Sequence, residues 1–94
     1  MAKVNLTPEQ FQRITRALSD PTRYEILRRI YASTETMNCG CSCSGLPISP
    51  GTASHHLREL EIADLIRVVR DGRFKLLTPR REIWQAYLSQ LNQL

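Results

Sequence analysis

No run of about 18 apolar residues occurs in this sequence, so no membrane-spanning helix is expected. The opening segment Met1-Ala2-Lys3-Val4-Asn5 lacks the apolar core of a secretion signal, which points to a reducing, cytoplasmic setting where structural disulfides are not expected. There is no glycine-rich phosphate loop, no Cys-x-x-Cys, and no serine or cysteine with an evident base. The two histidines, His55 and His56, stand side by side with no acidic partner at a telling spacing. These absences leave no constellation for nucleophilic, acid–base or dithiol redox catalysis, and an enzyme is not expected. Internal repeats and linkers are missing too, so residues 1–94 read as one small domain.

What the chain does have is a mild excess of cations: 13 Lys and Arg against 9 Asp and Glu, a net charge of +4. That balance suits an anionic partner. A chain of 94 residues sits near the lower end of sizes that bury a self-sufficient core, so a partner subunit is expected.

The periodicity is mainly helical. Thr7-Pro8-Glu9-Gln10 carries the residues of a capping box with proline at the first helical position, and Phe11, Ile14 and Leu18 follow on one face. Asp20-Pro21 restarts the pattern, with Tyr24, Leu27, Ile30 and Tyr31 as a second apolar stripe. From Ala32 to Pro50 the chain is rich in Ser, Thr, Gly, Asn and Cys, which favours loop or broken helix. Ser49-Pro50 then caps a helix to about Ala63 that buries Ala53, Leu57 and Leu60 and turns Thr52, His55 and Arg58 outward. Two β-rich segments flank Asp71-Gly72, a pairing that predicts a hairpin with a type I′ turn. Pro79 is expected to open a last helix in which Trp84, Tyr87, Leu88, Leu91 and Leu94 share a stripe.

Helix, helix, loop, capped helix, basic hairpin and helix is the order of a winged helix-turn-helix. The capped helix is expected to enter a DNA major groove. The small or hydroxylated Ser49, Gly51, Thr52 and Ser54 allow close approach to the phosphate backbone, and Thr52, Ser54, His55 and Arg58 reach phosphates or base edges. Arg70, Arg73 and Lys75 at the hairpin tip are placed for phosphate contact. The terminal apolar stripe has too little protein left to cover it, and a homodimer through the first and last helices would bury it.

All three cysteines, Cys39, Cys41 and Cys43, fall within five residues just upstream of the capped helix. In a helix, residues two apart point about 200° apart, so three thiols at this spacing converge only on a loop, which Gly40 and Ser42 are expected to provide. Three thiolates without a fourth ligand suit a soft, low-coordinate ion better than structural zinc, unless His55 or His56 completes the set. Thiol oxidation by peroxide or persulfide, or no effector at all, are the alternatives.

Arg16-Ala17-Leu18-Ser19-Asp20-Pro21-Thr22-Arg23-Tyr24-Glu25-Ile26-Leu27, together with Thr52-Ala53-Ser54-His55-His56-Leu57-Arg58-Glu59-Leu60 and Ala63-Asp64-Leu65-Ile66, resembles the ArsR family of transcriptional repressors. The resemblance runs from about Leu6 to the C-terminus. It implies a homodimeric winged-helix repressor that binds an inverted repeat in promoter DNA, needs no cofactor to do so, and leaves when an inducer binds. It places Cys39, Cys41 and Cys43 near the family's thiolate site and points to trivalent arsenic or antimony as that inducer. The family's helix-borne Leu-Cys-Val-Cys pattern is replaced here by Cys-x-Cys-x-Cys, and nothing between Arg80 and Leu94 matches its interfacial histidine site. Asp64 stands where the family often has glycine.

Overall fold

The computed structural model describes residues 4–33 and 36–94; residues 1–3, which carry part of the reading of the N-terminus, and residues 34 and 35, inside the Ala32–Pro50 stretch, lie outside the described residues. The elements run α1 (Pro8–Ala17), α2 (Pro21–Ala32), β1 (Met37–Asn38), α3 (Cys39–Cys43), α4 (Pro50–Ile62), β2 (Ile66–Asp71), β3 (Phe74–Pro79) and α5 (Arg81–Leu91). The strands form one antiparallel sheet in the order β1-β3-β2.

Local chemistry sets most helix starts. Thr7 caps α1 in a complete capping box: its Oγ1 accepts from Gln10 N at 3.1 Å, while Gln10 Oε1 accepts from Thr7 N at 2.9 Å. Asp20 Oδ1 accepts from Arg23 N at 3.0 Å at the start of α2, and Ser49 Oγ accepts from Thr52 N at 3.1 Å at the start of α4. Each such cap contributes about 1 kcal/mol.

The core gathers Ile14 and Ala17 from α1, Ile26, Leu27 and Ile30 from α2, Leu57 and Leu60 from α4, and Leu65, Ile66, Leu77, Ile83 and Tyr87 from the C-terminal half. Tyr31 closes it from the side. Its hydroxyl donates to Leu65 O at 2.6 Å and Arg80 O at 3.2 Å, and burial pushes its pKa up to about 12. Phe11 and Trp84 pack on Tyr87, whose hydroxyl pairs with that of Thr15 at 2.8 Å.

Five expectations need correction. The hairpin is a three-stranded sheet, because the two residues Met37 and Asn38 pair with Leu77 and Leu76 of β3. The turn is centred on Gly72-Arg73: Asp71 pairs with Phe74, and only Gly72 has positive φ, at 60°, which is the pattern of type II′ rather than I′. Pro79 ends β3 and does not open α5, which starts at Arg81 without a side-chain cap. Tyr24 is exposed, and Ile26 takes the core position beside Leu27 and Ile30. Finally, Cys39–Cys43 is not a loop but the short helix α3, capped by Asn38, whose Oδ1 accepts from Cys41 N at 2.8 Å. Asn38 and the positive φ of Gly45, at 77°, bracket that turn of helix.

Candidate nucleic-acid interface

The helix α4 presents two faces of different chemistry. Ala53, His56, Leu57 and Leu60 are buried, whereas Ser49, Gly51, Thr52, Ser54, His55 and Arg58 are all exposed. Every polar residue assigned to DNA contact on this helix therefore lies on its free side. No acidic residue occupies the first turn, so the positive end of the helix dipole is left for an external anion. Ser49 Oγ also donates to Thr52 Oγ1 at 2.9 Å, which fixes the rotamers at the helix start.

Gly51 is informative because the chain itself does not require it. A Cβ there would meet nothing closer than Ser49 Oγ at 4.0 Å. Glycine in a helix costs up to about 1 kcal/mol relative to alanine, and no internal contact explains that cost.

The sheet carries the second part of the surface. Arg70 and Arg73 are exposed, and Lys75 is half-buried. Arg70 and Lys75 are register partners across β2 and β3. Like charges directly opposite one another destabilise a strand pair, so this arrangement costs the free protein stability.

Two charged links seat α4 on the rest of the molecule. At its C-terminal end Asp64 adopts a left-handed conformation, φ 62°, and accepts from Gln10 Nε2 of α1 at 3.3 Å and from Arg80 Nη1, ahead of α5, at 3.2 Å. The Asp64 side chain thus ties the helix–wing junction to α1 and to the residue just ahead of α5. On the inner face, His56 Nδ1 accepts from Arg23 Nε of α2 at 3.3 Å. Sequence reasoning missed this second link, which joins residues 33 positions apart.

The cysteines do not converge. Cys39 and Cys43, four residues apart on α3, share a half-buried face packed on the core, and Cys41 projects to solvent. Among the described residues no group of three or more His, Cys, Asp or Glu is arranged to hold a metal ion. The three-thiolate site does not fit this helix, and His56, buried against Arg23, is not free to act as a fourth ligand. Burial is the first cause that pushes the Cys39 thiol pKa up, with Cys43 adding to it. No helix is long and apolar enough to cross a membrane among the described residues.

A helical core with a capped helix displayed beside a basic antiparallel wing defines the winged helix-turn-helix class. Residues 18–69 match the helix-turn-helix domain family model. The chain is 36% identical over 75 residues to the uncharacterized HTH-type transcriptional regulator YceK of Bacillus subtilis (strain 168), covering 80% of this chain and 75% of that one. In three dimensions it is similar to an ArsR family transcriptional regulator seen by crystallography, with a TM-score of 0.84 at 24% identity over 96% of this chain and 91% of the other. It is also similar to the homodimeric winged helix-turn-helix DNA-binding domain of Mb0332 from Mycobacterium bovis, a possible ArsR-family regulator, with a TM-score of 0.68 at 20% identity over 90% and 79% of the two chains. The chain belongs to this helix-turn-helix family of transcriptional regulators, with the winged fold of its ArsR-type members.

Proposed function

We propose that this protein is a homodimeric repressor that binds an inverted-repeat operator through α4 and the β2–β3 wing, and that thiol chemistry at α3 releases it. The observation that carries the DNA reading is that Gly51, Thr52, Ser54, His55 and Arg58 are all exposed on α4, which packs on β2, and that Arg70 and Arg73 are exposed at the wing. Two such surfaces related by a two-fold axis match half-sites one helical turn apart.

Dimerisation is assigned to α1 and α5. Leu88 and Leu91 are exposed on α5, and Leu94 beyond it is fully so; a shallow depression lined by Gln85, Leu88, Ser89, Leu91 and Asn92 lies on the same helix. The Mycobacterium bovis domain is homodimeric, which supports the same arrangement here. Leu88→Asp with Leu91→Asp converts the dimer to monomer in sedimentation and lowers operator affinity; an unchanged mass would remove α5 from the interface.

For the inducer, our reading is a thiophilic metalloid, arsenite or antimonite, with Cys39 and Cys43 as its first ligands; the support is that these two thiols share one half-buried face of α3. Cys41 joins the pair only when α3 opens. The test is a band shift of reduced protein on its upstream promoter DNA with arsenite, antimonite, cadmium, zinc or peroxide, for the native chain and for Cys39→Ser, Cys41→Ser and Cys43→Ser. Release by stoichiometric metalloid that vanishes in Cys39→Ser and Cys43→Ser supports the assignment. Release by oxidant alone, reversed by dithiol, would make the protein a redox sensor instead.

A further inference from the structure

His56 is the histidine that the DNA-facing surface does not use. It is 6% exposed on the inner face of α4, and the ring of its exposed neighbour His55 lies 6.0 Å away. Its Nδ1 accepts from Arg23 Nε of α2 at 3.3 Å. Asp20, which caps α2 and holds Arg23 N at 3.0 Å, also acts on the same ring through its charge. The charged and titratable groups that face His56 are therefore Asp20 and Arg23 from the start of α2 and His55 from α4 itself.

A nitrogen that accepts from a guanidinium carries no proton. Histidinium has two donors and no acceptor, so a proton on His56 removes the acceptor and sets two cations against each other at that contact. Asp20 offsets only part of this repulsion. Burial, the largest influence on the ring, holds the His56 imidazole below its ordinary value of 6.5, so the contact is intact at neutral pH.

We propose that the Arg23–His56 contact is a proton-sensitive positioning clamp: with His56 neutral, α4 is seated on α2 and grips the operator, and a proton on His56 unseats it and weakens binding. His56 is a positioning residue that acts through the helix without touching DNA. The inference rests on the reading of α4 as the DNA-contacting helix. Its neighbour His55 is exposed on the outer face of α4, so the test of the clamp removes that second imidazole.

Operator affinity of the full chain is followed by fluorescence anisotropy on its upstream promoter duplex, at fixed ionic strength, between about pH 7.5 and 5.5. In His55→Gln, where His56 is the remaining imidazole, affinity falls a few-fold toward the acid end of that range, short of the tenfold limit that a difference of about one pH unit between free and bound His56 sets. The fall disappears in His55→Gln with His56→Asn, whose amide keeps an acceptor but does not titrate. It also disappears in His55→Gln with Arg23→Met, which leaves no cation to repel; that variant decides the matter if His56→Asn is unfolded by circular dichroism. A flat or rising profile in His55→Gln, or an equal fall with His56→Asn, would overturn the clamp. Binding at pH 7.5 that ignores pH sinks the clamp alone, whereas absence of binding by the native chain at every pH sinks the DNA reading and the clamp with it.

Discussion

Arg70 and Lys75 sit directly opposite one another across β2 and β3, the last cationic pair before the wing turn. Their mutual repulsion is a cost to the free protein, of a few tenths of a kcal/mol for a pair with one exposed and one half-buried partner. Neutralising either one is expected to leave stability unchanged or slightly raised. Operator affinity falls in Arg70→Ala and Lys75→Ala, and the slope of log affinity against log salt drops by about 1 for each phosphate that the shortened side chain cannot reach. Thermal melts and salt titrations of the two variants check both halves.

Gly51 makes the same opposition between stability and binding on α4. Alanine there meets open space, so Gly51→Ala is expected to stabilise the fold by up to about 1 kcal/mol. The added methyl lies where the DNA backbone approaches, so operator affinity falls. A variant that is more stable and binds equally well would show that the glycine is not kept for the phosphate backbone.

Asp64 combines a strained backbone with two hydrogen bonds, to Gln10 and Arg80. A left-handed conformation costs a residue with a Cβ about 1–2 kcal/mol, and a half-exposed ion pair returns about 0.2–1 kcal/mol. Asp64→Gly relieves the strain as it removes the bonds and is expected to lie within about 1 kcal/mol of the native chain. Asp64→Ala keeps the strain without the bonds, and it is destabilised more than Asp64→Gly. Denaturant unfolding of the pair settles the order, and alanine above glycine would refute the role assigned to the junction.

Glu25 lies between Arg28 and Arg29, each within 2.9 Å, and their guanidiniums hold its carboxyl from the ordinary 4.5 down to about 2. The unfolded chain takes up that proton near 4.5, and the folded chain only near 2. The stability contributed by Glu25 is thus complete above pH 4.5 and is lost as pH falls toward 2. Glu25→Gln is expected to be less stable than the native chain at neutral pH, by an amount that solvent exposure keeps small. The difference shrinks in acid, which chemical denaturation at several pH values measures.

Much of this molecule was legible in its residues because the determinants are local. Thr7, Asp20 and Ser49 announce three helix starts through caps that need only their own next turn. The outward placement of Thr52, His55 and Arg58 follows from the period of one helix. What was not legible depends on tertiary pairing. Two residues, Met37 and Asn38, are too few to carry an alternating pattern and become a strand only because β3 offers an open edge. The residues Cys39 to Cys43 have loop composition, yet the Asn38 cap, the buried Ser42 and the core contacts of Cys39 and Cys43 wind them into a turn of helix. Nothing local marks His56 as the acceptor for Arg23, 33 positions away in the chain.

Specific DNA binding by α4 and the wing is tested by the affinity of the reduced chain for its own upstream promoter duplex and for a scrambled duplex across a salt series, with Arg58→Ala alongside. Binding to the promoter duplex is expected to be tighter, with log affinity falling linearly in log salt, and Arg58→Ala is expected to weaken it by about 1–3 kcal/mol and relax the sequence preference. Equal affinity for both duplexes, or no complex at low salt, would contradict specific binding.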